Sequence, residues 1–315
     1  MNAVRLRQYF PVALLLCVAL PAAAAALGTS ARSAIPADVQ QIIVVDYRAL
    51  NDSPSGQALK TRIASPRLRQ FETALRKAGI VPEREVEQLT FAAFRSKQQG
   101  MQTVGIAQGS FTREAMVPRL RKKGIRPQKD RLGELYPMEG GLTMTFLDDS
   151  TLLFGEAGAV KLGLEARQGE IPSVNSNASI SDLMSGTGEG AIWSVLDADG
   201  TRHMVHSALG ESTELADSAT LMKRLRGSRY TVDLSRGCDF RLDVLTSDSF
   251  TASTLSGLIH AGMLLRQMNA TGAEKMMLQD LSVEADGDQL KARLDSSEER
   301  FEALLNSPLF AAVSK

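Results

Sequence analysis

Two of the three histidines in the chain, His203 and His206, lie three residues apart. On a helix this spacing places both side chains on one face, as a pair of metal ligands requires. Zinc needs three or four ligands, and no cysteine lies nearby to complete such a set. The segment from Asp197 to Gly200 also fails as a calcium loop, because its glycine comes at the fourth position instead of the sixth. We therefore predict no metal site, and we interpret the two histidines as surface residues beside a tight turn.

A glycine-rich run from Gly186 to Ala191 has the letters of a dinucleotide-binding motif. That motif must leave a strand and enter a helix, because the helix N-terminus holds the pyrophosphate. Here the glycines precede a β-branched strand that begins at Ile192. The order is the wrong way round, so we predict no nucleotide cofactor and no cofactor of another kind.

No sequence motif identifies a nucleophile. The chain lacks G-x-S-x-G, S-x-x-K, C-x-x-C, H-E-x-x-H and G-x-x-x-x-G-K patterns, and no serine lies in a context that would activate it. Cys238 is the only cysteine after residue 17, so an internal disulfide in the rest of the chain is excluded. We predict no catalytic residues, and we interpret Cys238 as a packed apolar side chain.

One stretch, residues 119–131, carries a strong local charge. It has a single acid, Asp130, among seven basic residues: Arg119, Arg121, Lys122, Lys123, Arg126, Lys129 and Arg131. The first five of these are our candidate binding residues, for anionic lipid head groups, an envelope polymer or an acidic partner. The alternative is that cations gather where a helix ends, since they interact favourably with its carbonyl groups.

The first 26 residues have the organisation of a secretory signal peptide. Arg5 and Arg7 precede an apolar stretch that begins at Pro11, and a run of alanines closes the segment at Ala26. The apolar stretch is shorter than the roughly 20 residues of a typical membrane-spanning helix. We predict an exported protein, periplasmic or extracellular, with retention of this segment as an anchor as the alternative.

The overall composition is that of a soluble globular protein, with 43% apolar and 23% charged residues. Its 36 basic residues are balanced by 36 acidic ones, and loss of Arg5 and Arg7 leaves the balance nearly unchanged. A near-neutral chain has no global field that would attract a polyanion, so we predict no nucleic-acid partner.

The remainder of the chain shows the same order of strand and helix patterns twice. Seven elements of the first copy recur roughly 140 residues later in the second. The clearest is a hairpin in which Leu281, Val283 and Ala285 alternate with polar residues before a turn at Asp286-Gly287. Each copy has the order β-α-β-β-α-β-β-α, which favours a mainly antiparallel sheet with helices packed on one face.

The predicted fold is therefore α+β, with a first module at residues 34–167 and a second at 191–310. Residues 168–190 contain proline, glycine, serine and asparagine, and are predicted to be the linker. The predicted function is that of a cell-envelope protein that binds an unknown partner or an apolar ligand without catalysis. The alternatives are an enzyme built from distant loops and an assembly or docking factor that uses residues 119–131.

Overall fold

The computed structural model describes residues 26–63, 66–187, 190–209, 218–270 and 272–306. The predicted signal peptide lies outside these ranges except for Ala26. Within them, no helix combines the length and the apolar character needed to cross a membrane.

The strands are short to medium in length, and most are joined as hairpins. They are β1 (Val39–Asp46), β2 (Val86–Ser96), β3 (Gly100–Gly109), β4 (Gln128–Asp130), β5 (Gly133–Pro137), β6 (Leu142–Phe146), β7 (Thr151–Glu156), β8 (Ile192–Asp197), β9 (Leu225–Asp233), β10 (Cys238–Thr246), β11 (Leu281–Asp286) and β12 (Gln289–Ser296).

The helices range from single turns to the 21 residues of α11. They are α1 (Thr29–Ser33), α2 (Tyr47–Asp52), α3 (Pro54–Ile63), α4 (Pro66–Lys77), α5 (Pro82–Glu85), α6 (Arg113–Lys122), α7 (Ala157–Gln168), α8 (Ala178–Ser185), α9 (Ala198–Leu209), α10 (Ser218–Lys223), α11 (Ser249–Asn269), α12 (Ala273–Asp280) and α13 (Glu298–Leu305).

All twelve described strands join in one antiparallel sheet, in the order β11-β12-β10-β9-β8-β1-β2-β3-β7-β6-β5-β4. At its centre β1 pairs with β8, so that Ile42 lies opposite Val195 and Val44 opposite Trp193. Outward from this pair, β1-β2-β3-β7-β6 corresponds position by position to β8-β9-β10-β12-β11. The predicted α+β fold with an antiparallel sheet is confirmed. The duplication of the chain itself remains a prediction.

Both faces of the sheet are covered by helices in its first half, strands β1 to β7. We call the face that carries Ile42 and Val44 the upper face; there Ile106 and Leu153 pack against α1, α7 and α8. On the lower face, Leu152 and Phe154 pack against α2, α4 and α6. We predicted helices on one face only. That expectation is too narrow for this half, because neighbouring residues of its central strands are apolar on both sides.

In the second half, strands β8 to β12, the described helices α9, α11 and α13 pack on the lower face. The upper face of β9, β10 and β12 carries half-buried or exposed charged residues instead, among them Arg229, Arg241, Asp243 and Arg293. Here the one-sided arrangement is the one that we predicted, since an antiparallel sheet tolerates one solvated face when its residues alternate in polarity.

The predicted linker, residues 168–190, contains regular structure in its described part. A short 3-10 helix (Val174–Ser176) precedes α8, and Val174, Ile180 and Leu183 are buried in the upper core of the first half. The Asn177 side chain accepts a hydrogen bond from the backbone of Ile180 and so begins α8. The division of the chain into modules and linker remains a prediction.

Candidate functional site

The predicted basic stretch lies at the C-terminal end of α6 and in the segment that follows it. Arg121, Lys122, Lys123 and Arg126 are exposed, and within the described part of the chain they form no ion pair. Arg119 differs from them, because its guanidinium donates to the carbonyl oxygen of Gly79 over 2.9 Å and lies 3.8 Å from Glu85. Four of the five candidate residues are therefore free to meet an anion, and one holds α6 in place.

The two histidines lie on α9, because the predicted turn at residues 197–200 is the first turn of this helix. The Asp197 carboxylate accepts the backbone N–H of Gly200 over 2.7 Å, as a residue that caps a helix does. Within the described ranges, no group of three or more His, Cys, Asp or Glu side chains is placed to hold a metal ion. His260 lies on α11 with Nδ1 2.8 Å from the carbonyl oxygen of Ser256.

Cys238 lies at the start of β10 on the lower face and is 5% exposed. Burial raises the pKa of its thiol to about 12, and the nearby carboxylates of Asp239, Asp233 and Asp295 act in the same direction. A thiol with so high a pKa is almost entirely protonated at neutral pH and is a poor nucleophile.

A cluster of the buried Tyr47 with the half-buried Lys60 and Glu72 was not predicted from the sequence. The Lys60 ammonium lies 3.0 Å from the Glu72 carboxylate and also donates to the Tyr47 hydroxyl, which in turn donates to Glu72. Burial and the bond to Glu72 raise the pKa of Tyr47, whose side chain is 1% exposed. The three residues come from α2, α3 and α4 at irregular separations, so no spacing motif could reveal them. Their contacts fix the three helices to one another.

A pocket lies between the β2–β3 hairpin and α7, and we call it the α7 pocket. Its volume is about 680 Å³. It is lined by Pro36, Ala37, Asp38, Phe94, Arg95, Ser96, Lys97, Gln98, Gln99, Gly158, Lys161, Leu162, Glu165, Ile171 and Pro172.

Apolar side chains form the floor of the α7 pocket and charged ones its rim. Phe94 is 1% exposed, and Leu162 and Ile171 are half-buried beside it. On the rim, Arg95 lies 2.5 Å from Asp199, and Lys161 lies 2.8 Å from Asp130. Lys97 is exposed at the tip of the hairpin and has no ion pair with any described residue.

Backbone hydrogen bonds hold the walls of the α7 pocket together. Ala37 donates to the carbonyl of Pro172 over 2.9 Å, and Arg95 donates to the carbonyl of Asp38 over 3.0 Å. At the hairpin end, Gln99 approaches α7 so closely that a Cβ at Gly158 would lie 2.5 Å from its side-chain oxygen. The four segments that line the pocket are separated by up to about 135 residues in the sequence, and therefore the sequence gives no sign of it.

Comparisons with known proteins yield no family. No protein-family model matches the chain, and no curated protein matches it. Among solved structures, crystal form I of TP0453 is similar to 93% of this chain and 98% of its own, with 10% identity and a TM-score of 0.47. Crystal form IV of TP0453 is similar to 88% of this chain and 96% of its own, with 11% identity and a TM-score of 0.45. A likeness at this level carries no conclusion about function.

Proposed function

We propose that the protein is exported to the cell envelope and binds there, without catalysis, an apolar ligand that has an anionic end. Export is supported by the basic start, the apolar stretch and the alanine run of residues 1–26. Ligand binding is supported by one observation above all, the α7 pocket with its apolar floor and its charged rim.

The size of the α7 pocket suits a small molecule. Its volume of about 680 Å³ falls within the range of roughly 300–1,000 Å³ that is typical of ligand pockets. Transfer of an alkyl or aromatic group from water to this floor gains about 25 cal/mol for each Å² of apolar surface that is removed from water. The apolar part of the ligand would therefore supply most of the affinity.

The rim determines which end of the ligand faces solvent. Arg95, Lys97 and Lys161 contribute three cations, against the two carboxylates of Asp38 and Glu165. Arg95, Lys161 and Glu165 are already engaged in ion pairs, which leaves Lys97 as the one cation of the rim, and Asp38 as its one carboxylate, without an ion pair among the described residues. We therefore assign Lys97 as the residue that contacts the anionic end.

The first test is native mass spectrometry of the protein purified from the envelope fraction of its own host. We expect a mature chain that begins near residue 27 and carries a bound molecule of defined mass. A chain that retains residues 1–26 would contradict export by cleavage, and a bare chain at low collision energy would contradict the ligand.

The second test uses a fluorescent carboxylate with an apolar chain, dansylaminoundecanoate, and the chain from residue 27. We expect Leu162→Trp, which fills the pocket, to weaken binding about tenfold or more, while Gln279→Trp, an exposed position on α12, leaves it unchanged. Binding that survives Leu162→Trp would place the probe elsewhere and would contradict the α7 pocket as the site.

The Lys97 assignment has its own matched pair of variants. Lys97→Glu should weaken binding of the carboxylate probe but not of its methyl ester, because only the carboxylate interacts with the ammonium group. Lys122→Glu makes the same change in charge on α6, away from the pocket, and should affect neither probe. Equal effects of the two variants would indicate a general field of the protein instead of a contact.

A second function, docking to an anionic surface, is favoured by the exposed and unpaired state of Arg121, Lys122, Lys123 and Arg126. We expect the protein to sediment with phosphatidylglycerol vesicles at low salt, and less so at 0.5 M salt, because salt screens exposed charges. Reversal of these four charges should abolish sedimentation. Sedimentation that is unchanged by the reversal would exclude this surface.

A further inference from the structure

The long helix α11 carries an apolar stripe on its exposed side. The stripe consists of Phe250, Thr254, Gly257, Ala261, Leu264 and Met268, at successive spacings of four and three residues, and all of them are exposed except Thr254, which is half-buried. This is the heptad spacing by which one helix packs along another. Phe250 is 72% exposed, Leu264 64% and Met268 81%, and they are among the most exposed large apolar side chains of the described residues.

The opposite side of α11 packs against the sheet. Leu255, Ile259 and Met263 join the lower core of the second half, and the helix packs against β10, β11 and β12. On a helix with 3.6 residues per turn, the stripe lies about 180° from this buried side. It therefore points away from the sheet, and the packing of the described domain does not account for its apolar character.

The stripe is complementary to itself when two copies run antiparallel. With the centre at the level of Ile259, Gly257 meets the partner's Ala261, and Thr254 meets the partner's Leu264. Phe250 then meets the partner's Met268. Small residues thus face small residues at the centre, where two helix axes can approach closely, and large apolar residues face each other at both ends.

We propose that α11 is the contact by which two copies of this chain form a symmetric dimer. The contact is isologous, so each residue of the stripe is used twice and no second surface is required. The only charged residue of α11 is Arg266, which does not belong to the stripe, so the two helices meet without like-charge repulsion.

A second copy fits the stripe better than a lipid surface does. Helices that lie on membranes usually carry lysine or arginine on the polar side next to their apolar face. On α11 the side opposite the stripe is packed against the sheet, and Arg266 is its single cation. A stripe of six residues is small compared with the roughly 1,200 Å² of a stable interface, so we expect a reversible dimer.

Sedimentation equilibrium of the chain from residue 27 tests the dimer, since every described helix and strand lies within residues 27–315. We expect the average mass to rise with concentration towards twice the monomer mass. Ala261→Arg should weaken association at least about tenfold, by placing two charges at the centre of the contact. Gln279→Arg, an exposed change on α12, should leave association unchanged. A monomer at all concentrations, or association that Ala261→Arg does not weaken, would overturn the proposal.

Disulfide formation between two variants tests the orientation independently, even if Ala261→Arg alters the fold. A Cβ at Gly257 meets no atom within 4 Å, so Gly257→Cys is compatible with the folded chain. In a mixture with Ala261→Cys we expect disulfides between the two variants, because residue 257 of one copy lies opposite residue 261 of the other. Disulfides that join only like variants would show a parallel pair, and no disulfide at all would show no contact. Either result overturns the proposal.

Discussion

The two halves of the sheet are built from strands in the same outward order, yet helices cover the upper face of the first half and leave much of the second exposed. In the first half, Ile106 and Leu153 are fully buried there beneath helices. At comparable places in the second half lie Arg241 and Arg293, both exposed. Strand order alone therefore does not decide which faces of a sheet are covered. The side chains decide it, because a helix packs only where the strand residues offer an apolar surface.

This difference also explains where the α7 pocket can form. A pocket of this kind needs a second layer above the sheet, and α7 with the segment of Ile171 and Pro172 provides it in the first half. The upper face of the second half offers a smaller recess of about 240 Å³ between Arg229, Arg241 and Lys291. On its upper face, the first half therefore has both an apolar core and a cavity, whereas the upper face of the second half is a charged surface.

The largest expected effect is on the free energy of unfolding, and it comes from exchanging an apolar and a charged side chain on the two upper faces. Ile106→Arg buries a cation without a partner, and we expect it to lower the free energy of unfolding by about 4 kcal/mol or more. Arg241→Ile makes the reverse change on the open face and should alter it by less than about 1 kcal/mol. Chemical denaturation monitored by circular dichroism measures both. Comparable costs for the two variants would show that the faces do not differ in burial.

The loss of an ion pair should likewise lower the free energy of unfolding more in the first half than in the second. Lys60→Met leaves the Glu72 carboxylate, whose side chain is 15% exposed, without its cation, and we expect a cost of about 2 kcal/mol. Lys60→Met combined with Glu72→Met should recover part of this loss. On the open face, Arg241→Met breaks the 2.6 Å pair with Asp239, whose side chains are 63% and 37% exposed, and the cost there should be below about 1 kcal/mol. An equal cost at both sites would contradict the comparison.

The two faces of strand β10 can be distinguished by thiol chemistry. Cys238 on the covered face should react with an aromatic disulfide reagent at pH 8 only as the protein unfolds, because its thiol is buried with a pKa of about 12. A cysteine introduced by Arg241→Cys on the open face should react on the order of a hundred times faster. The chain from residue 27 lacks Cys17, so the two rates are separable. Fast reaction of Cys238 in the native protein would mean that the lower face of β10 is open.

The smallest expected effect is on the melting temperature, and it comes from changes to the residues that cap the N-termini of α11 and α8. Hydrogen bonds from the Thr251 backbone and from the Ser247 and Thr251 hydroxyls hold the pKa of Asp248 at about 2. Since this pKa lies below its value of about 4 in the unfolded chain, Asp248 stabilises the fold above pH 4, and this contribution is lost as pH falls towards 2. Asp248→Asn should therefore lower the melting temperature at pH 5 but not at pH 2.

Asn177, which begins α8 in the first half, supplies the matched control for this prediction. Its uncharged side chain accepts the Ile180 N–H at 3.1 Å and cannot contribute a dependence on pH in this range. Asn177→Asp should raise the melting temperature at pH 5, with the gain disappearing by pH 2. A difference from the parent chain that is constant between pH 5 and pH 2, for either variant, would contradict the role of ionisation.

Local signals in the sequence predicted several elements correctly. Pro66, which is suited to the first position of a helix, begins α4, and Gly79, with a φ of 85°, follows its end. The hairpin of β11 and β12 turns at Gly287, whose φ of 60° suits glycine. These features depend on residues that are neighbours along the chain, so the sequence contains all the interactions that decide them.

The helices α9 and α8 were not predicted, because the residues at the start of α9 and around α8 favour a turn or a loop. The residues around Gly200 predicted a turn, yet they form the start of α9, whose buried Val205 packs on the lower face of the second half. The glycine- and serine-rich stretch predicted as linker contains α8, which Ile180 and Leu183 anchor in the core. In both cases the burial of one or two apolar side chains outweighs weak local propensity.

By itself, the sequence determined the fold class, the antiparallel hairpins and the position of the strongest basic stretch. Alternation of polarity, turn residues and clustered charge are local properties and can be read along the chain. Only the tertiary structure decided that β1 pairs with β8 across the centre, that helices cover one upper face and not the other, and that four distant segments enclose the α7 pocket. Each of these depends on surfaces that meet only after folding, because the free energy of burial belongs to the contact between segments and not to either segment alone.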